Sequence, residues 1–175
     1  MTVAPWTDAG TAWVVDTGVF VACGRAGNQK YAGLRRFALD REMAFVIPRR
    51  VYEELGGVPS GSTPAGVPVA QAIEAGWTRL ADELDYTDGT VATVMDTVQS
   101  VIAQSSQRPE DDIEKTDAAL AGVAVQLLNR PGVSDVCVVT TDHDAREGVT
   151  IALNTQGLGG RATTIDGFEF VDGLF

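Results

Sequence analysis

Trp13-Val14-Val15-Asp16-Thr17-Gly18 is the stretch on which the reading of this chain turns. Bulky apolar residues without polar alternation predict a strand buried on both faces, as in the middle of a parallel sheet. Asp16 stands where that strand ends, and Thr17-Gly18 turn the chain into a helix beginning Val19-Phe20-Val21. A carboxylate in that position is costly unless a cation or hydrogen-bond donors meet it. Three more carboxylates in similar predicaments lie further along.

Outward from that stretch, strands and helices alternate. Tyr31 to Asp40 carries Leu34, Phe37 and Ala38 at helical spacing. Met43–Ile47 reads as a second buried strand, and Pro48 opens a short helix from Arg49 to Leu55 that Gly56-Gly57 ends. Residues 57–68 are rich in Gly, Pro and Ser and carry no charge, which predicts a mobile surface loop. A short helix over Val69–Ala75 and a strand over Trp77–Ala81 follow. Asp88 or Thr87 can cap a helix from Gly89 to Gln104 whose apolar stripe is Val91, Val94, Met95, Val98 and Ile102. Asp111-Asp112 start a helix running to Asn129, and Pro131-Gly132 stops it. Val136–Thr140 is a strand, Asp144–Asn154 a helix and Ala162–Ile165 a last strand before a Gly-bounded tail. Residues 1–11 read as a loose tail. Strands separated by helices predict a three-layer α/β/α domain with a mostly parallel sheet.

At 175 residues the chain suits one domain, residues 1–175, with a single core. With 45% hydrophobic and 21% charged residues it is too apolar for disorder. No apolar run spans a bilayer, and the first residues lack the basic start of a signal peptide, so a cytoplasmic protein is expected. Cys23 and Cys137 fall in buried elements and read as reduced thiols. The net charge of −11, with only two lysines among 13 basic residues, fits a protein adapted to high salt. Arg25, Lys30, Arg35, Arg36, Arg41, Arg49 and Arg50 nonetheless gather in one stretch, either a local polyanion site or ordinary solvated helix faces.

Helical spacing carries the next three carboxylates. Asp117 lies four residues after Ile113 and three before Leu120, on the apolar face that also holds Ala124 and Leu127. Glu54 falls three after Val51, on the inner side of its short helix, while Glu53 points outward. Asp142 ends the strand Val136–Thr140 much as Asp16 ends its own, and it can also cap the following helix. Asp144 would stand behind them. In open α/β sheets the carboxyl ends of strands form the ligand crevice. Carboxylates converging there repel one another unless hard cations such as Mg²⁺ or Mn²⁺, which prefer oxygen ligands, neutralise them. His143 is the only histidine and has no cysteine near it, which argues against a zinc site.

The ordered set Asp16, Glu54, Asp117, Asp142 resembles the PIN-domain family of metal-dependent nucleases. The matching stretches are Val14–Val21, Ile47–Leu55, Lys115–Leu120 and Val138–Asp144. The resemblance implies a five-stranded sheet of order 3-2-1-4-5, with the strands ending in Asp16 and Asp142 side by side. It also implies hydrolysis of RNA phosphodiester bonds, with the four carboxylates holding Mg²⁺ or Mn²⁺. RNA is then the substrate, and an antitoxin-like protein partner or a homodimer is an open expectation. The loop 57–68 and the long helix 89–104 exceed the compact toxin members, which weighs against a toxin–antitoxin role and leaves a processing or other nuclease open.

Two rival classes remain. A catalytically inactive PIN-like module could bind RNA or protein without cutting, although such a module would be free to lose acids that this chain retains. A different α/β enzyme is a poorer match. Asp16-Thr17-Gly18 lacks the second aspartate of aspartyl-phosphate phosphatases, and the P-loop pattern is missing.

Overall fold

Alternation along the central strand sets the layers. In the computed structural model, which describes residues 6–24, 27–54, 69–109 and 115–174 (backbone only at Thr17 and Glu54), β1 runs Thr11–Val15. Ala12 and Val14 enter one hydrophobic core and Trp13 and Val15 the other, because successive side chains leave a strand on opposite faces. Its neighbours are β2 (Phe45–Ile47), β3 (Thr78–Leu80), β4 (Asp135–Thr140) and β5 (Ala162–Asp166). Among the described residues every pairing is parallel and the order is β3-β2-β1-β4-β5, the α/β/α order expected. Thr11 lies opposite Asp135 and Val15 opposite Val139, so β1 and β4 end level with one another.

One face is covered by α5 (Gly89–Ser106), α6 (Lys115–Leu128) and α7 (His143–Thr155). The other carries α1 (Thr17–Cys23), α2 (Gln29–Asp40), α3 (Arg49–Glu54), α4 (Ala70–Ala75) and α8 (Gly167–Asp172). Asp88 caps α5 by accepting from the Thr90 and Val91 amides at 2.9 and 3.3 Å. All five residues of the expected α5 stripe are buried.

Three expectations need correction. The loose tail does not extend to residue 11: Thr11 already belongs to β1, and Asp8 and Thr11 exchange two backbone hydrogen bonds of 2.9 Å across a turn that Gly10 makes at φ +93°. Trp6 packs against the first core. The chain end is likewise not a simple tail, because Asp166 caps α8 and Phe170 joins Trp13, Phe37 and Phe45 in an aromatic cluster. Finally, α6 is buried nearly all round rather than on one face. It lies between α5, α7, β1 and β4, which explains its run of small residues Ala118, Ala119, Ala121, Gly122 and Ala124. The expected loop 57–68 and the residues Leu55 and Ile113 lie outside the described residues. Both cysteines are free thiols, Cys23 buried and Cys137 half-buried. Among the described residues no helix is long and apolar enough to cross a membrane.

Candidate functional site

Asp16 leaves the end of β1 and caps α1. It keeps extended backbone (φ −100°, ψ 177°) and accepts the Gly18 amide on Oδ1 at 2.7 Å. Only 6% of it is exposed. Its other oxygen, Oδ2, accepts a hydrogen bond from the Thr140 hydroxyl at the end of β4. That hydroxyl also accepts from the Asp142 amide at 3.2 Å. A hydroxyl has one proton to give and lone pairs to receive, so Thr140 ties the two aspartate positions together across the parallel pair. Thr140 is 1% exposed.

Two glycines permit this close approach. A Cβ on Gly18 would overlap the Thr141 hydroxyl, and one on Gly167 would meet Thr141 Cγ2 at 2.7 Å and the Thr140–Thr141 peptide at 3.0 Å. The starts of α1 and α8 can therefore press against the end of β4 only without side chains.

Burial raises the Asp16 carboxyl above the ordinary aspartate value. The Thr140 hydroxyl and the amides of Gly18 and Val19 pull it down, and the negative charge of Asp142 pushes it up again. Asp142 itself is exposed and caps α7, accepting the amides of Asp144 and Ala145 at 2.9 and 3.1 Å, both on Oδ1. Its Oδ2 accepts no hydrogen bond among the described residues. Neither Asp16 nor Asp142 forms an ion pair there. Asp166, at the end of β5, repeats the strand-end cap, but Arg146 lies 3.9 Å from its carboxylate.

Asp117 is half-buried in the first turn of α6. Because α6 precedes β4 and ends near the start of that strand, its first turn faces the same sheet edge as Asp16 and Asp142. It is not embedded in the single apolar face expected, since that helix has no polar side. Asp144 is half-buried beside its cap. Of Glu54 the structure describes only the backbone, at the end of α3, which leaves β2 at this edge. Among the described residues no three His, Cys, Asp or Glu side chains stand close enough to hold a metal ion. Asp142 is the acid whose charge bears on Asp16.

Sequence reading missed Thr140. A threonine closing an apolar strand just before Thr-Asp is unremarkable until its partner, 124 residues earlier, is known. Of the basic stretch, Arg25 lies outside the described residues, Lys30 pairs with Asp172 at 3.4 Å, and Arg41 pairs with Asp8 at 3.4 Å while covering the Phe37 ring.

The site's chemistry suits a hard divalent cation. Its donors are carboxylate oxygens, one buried and raised by desolvation and by its neighbour, with no protein cation among the described residues to neutralise them. A sequence model described as the halobacterial PIN domain matches residues 9–175. No curated protein and no solved structure gives a significant match.

Proposed function

The chain belongs to the halobacterial PIN-domain family, whose wider class consists generally of nucleases that use divalent metals, and on that premise we propose that it hydrolyses RNA phosphodiester bonds. In this reading Asp16, Glu54, Asp117 and Asp142 hold Mg²⁺ or Mn²⁺. Such an ion, when bound, lowers the pKa of a coordinated water and offsets charge on the phosphoryl oxygens.

The chain's own residues do the remaining work. Asp16 is the anchor. Its two oxygens are oriented from opposite sides, Oδ1 by the Gly18 amide and Oδ2 by the Thr140 hydroxyl. Asp142 is oriented through one oxygen only, so the second is available as a ligand. Asp117 sits in the first helical turn, where backbone dipoles favour negative charge and the approach of a phosphate. Glu54 binds through water or orients the nucleophile.

The observation that carries the reading is the pair Asp16 and Asp142, two carboxylates at the ends of adjacent parallel strands that form no ion pair among the described residues. Titration calorimetry of Mn²⁺ in concentrated KCl tests it, with wild type beside Asp16→Asn and Asp117→Asn. Wild-type binding that both substitutions weaken, with folding intact and with Mn²⁺-dependent cleavage of labelled single-stranded RNA, supports the proposal. Binding that neither alters removes the site and leaves a non-cutting binding module.

A further inference from the structure

The carboxyl edge of the sheet carries a second concave feature. A cavity of about 230 Å³ opens between the first turn of α3, the segment after β3 and the middle of α6. Pro48, Leu84, Ala119 and Val123 supply apolar wall, and Tyr86, 59% exposed, completes an aromatic side. Arg49 lines it too, and its Nε–H is buried with no hydrogen-bond partner among the described residues. Buried donors are rarely left unmet, so this one calls for an acceptor that the described residues do not supply. The cavity opens at the same edge of the sheet as the carboxylates: Pro48 directly follows β2, the hydrogen-bonded neighbour of β1.

We propose that this cavity receives one unpaired nucleobase of the RNA strand next to the bond that is cut, an inference that rests on the ribonuclease reading above. Its volume falls below the roughly 300–1,000 Å³ of pockets for drug-sized ligands, which suits a base seated in it with the sugar and phosphate outside. Arg49 and Arg50 are matched in the lining by Asp82 and Glu83, so the formal charges balance and a phosphate finds no net positive site there. Asp82 is already engaged by Arg130, whereas the exposed Glu83 can accept from a ring N–H or amino group. A flat heterocycle meets every remaining feature. Its face packs on Tyr86 and the apolar wall, and a ring nitrogen or carbonyl accepts from Arg49, as unstacked bases of single-stranded RNA do in aromatic pockets.

The test uses the full chain, isotope-labelled, in concentrated KCl without divalent ions, so that binding is read apart from cleavage. The four ribonucleoside 5′-monophosphates are titrated in, with ribose 5-phosphate as the baseless control. Saturable shifts of the Tyr86 ring and the Ala119 and Val123 methyl resonances are expected with a nucleotide and not with ribose 5-phosphate. Tyr86→Ala and Arg49→Gln should each weaken binding about tenfold, as expected for losing one stacked or hydrogen-bonded base contact. Identical shifts with ribose 5-phosphate would make this a phosphate site, and unchanged affinity in a folded Tyr86→Ala chain, or no shifts at all, would also overturn the proposal. Mn²⁺ binding and RNA cleavage without nucleotide shifts reject the base site alone. Nucleotide shifts without Mn²⁺ binding reject the nuclease reading and, with it, the placing of the base beside a cut bond, leaving a base-binding cavity only.

Discussion

Thr140→Val tests how the two aspartates are held. Valine has nearly the shape of threonine, so the buried position at the end of β4 stays filled while the hydroxyl is lost. The donor to Asp16 Oδ2 then disappears, and the Asp142 amide loses its acceptor. A hydrogen bond to a charged group contributes roughly 1.5–3 kcal/mol, and the half-buried amide left unmet adds a smaller cost. The variant should therefore lose about 2–3 kcal/mol. At about 2–4 °C per kcal/mol for a chain of this size, the melting temperature falls by roughly 5–10 °C. The effect depends on pH in a definite sense. The hydroxyl stabilises the ionised carboxylate and lowers its raised pKa, so the gap is largest above that value and shrinks as the pH falls through it. Thr140→Ser should recover most of the loss. Urea unfolding at constant high KCl from pH 7 down to pH 4 measures all of this, since salt screens a buried contact only weakly. A neutral-pH difference below about 0.5 kcal/mol, inside the range of an ordinary surface change, would refute the reasoning. So would a gap that does not change with pH.

Two further outcomes follow from the same geometry. Burial is the largest cause of the raised Asp16 pKa, so the folded chain binds that proton more tightly than the unfolded chain. The group's contribution to stability is fully present below the ordinary aspartate value of 3.8 and is lost as the pH rises through the raised one. Metal-free Asp16→Asn, which keeps an acceptor for the Gly18 amide, should therefore be at least as stable as wild type at neutral pH. That advantage should fade in acid, and urea unfolding across pH checks it. Mn²⁺ at 100 times its dissociation constant should reverse the order, raising wild type alone by about 2.7 kcal/mol. At the opposite sheet edge, Arg161 donates to the carbonyls of Leu128, Val133 and Ser134 at 3.1, 3.3 and 3.0 Å. Arg161→Ala should cost about 1–2 kcal/mol in thermal unfolding by freeing the end of α6, with Mn²⁺ affinity unchanged in calorimetry.

Much of the local structure was legible in the sequence because its causes are local. Trp13-Val14-Val15 and Val136–Thr140 are β-branched and apolar runs, and each forms its strand. Asp88 followed by Val91, Val94, Met95, Val98 and Ile102 contains both the cap and the buried stripe of α5. Asp16 and Asp142 could be placed at strand ends because each closes an apolar run and precedes a helical pattern. The sheet order came with the family resemblance, since no residue periodicity says which strands are neighbours.

The tertiary structure alone decided what depends on contacts distant in sequence. That Thr140 bonds Asp16 requires β1 and β4 to pair in register across 124 residues. That α6 is buried nearly all round requires α5 and α7 to close over it, which no pattern within α6 announces. The cavity beside Arg49 is assembled from three separate segments, none of which is concave by itself. A carboxylate's position along the chain follows from propensity and spacing, whereas its burial, its hydrogen-bond partners and its pKa belong to the neighbours that packing brings to it.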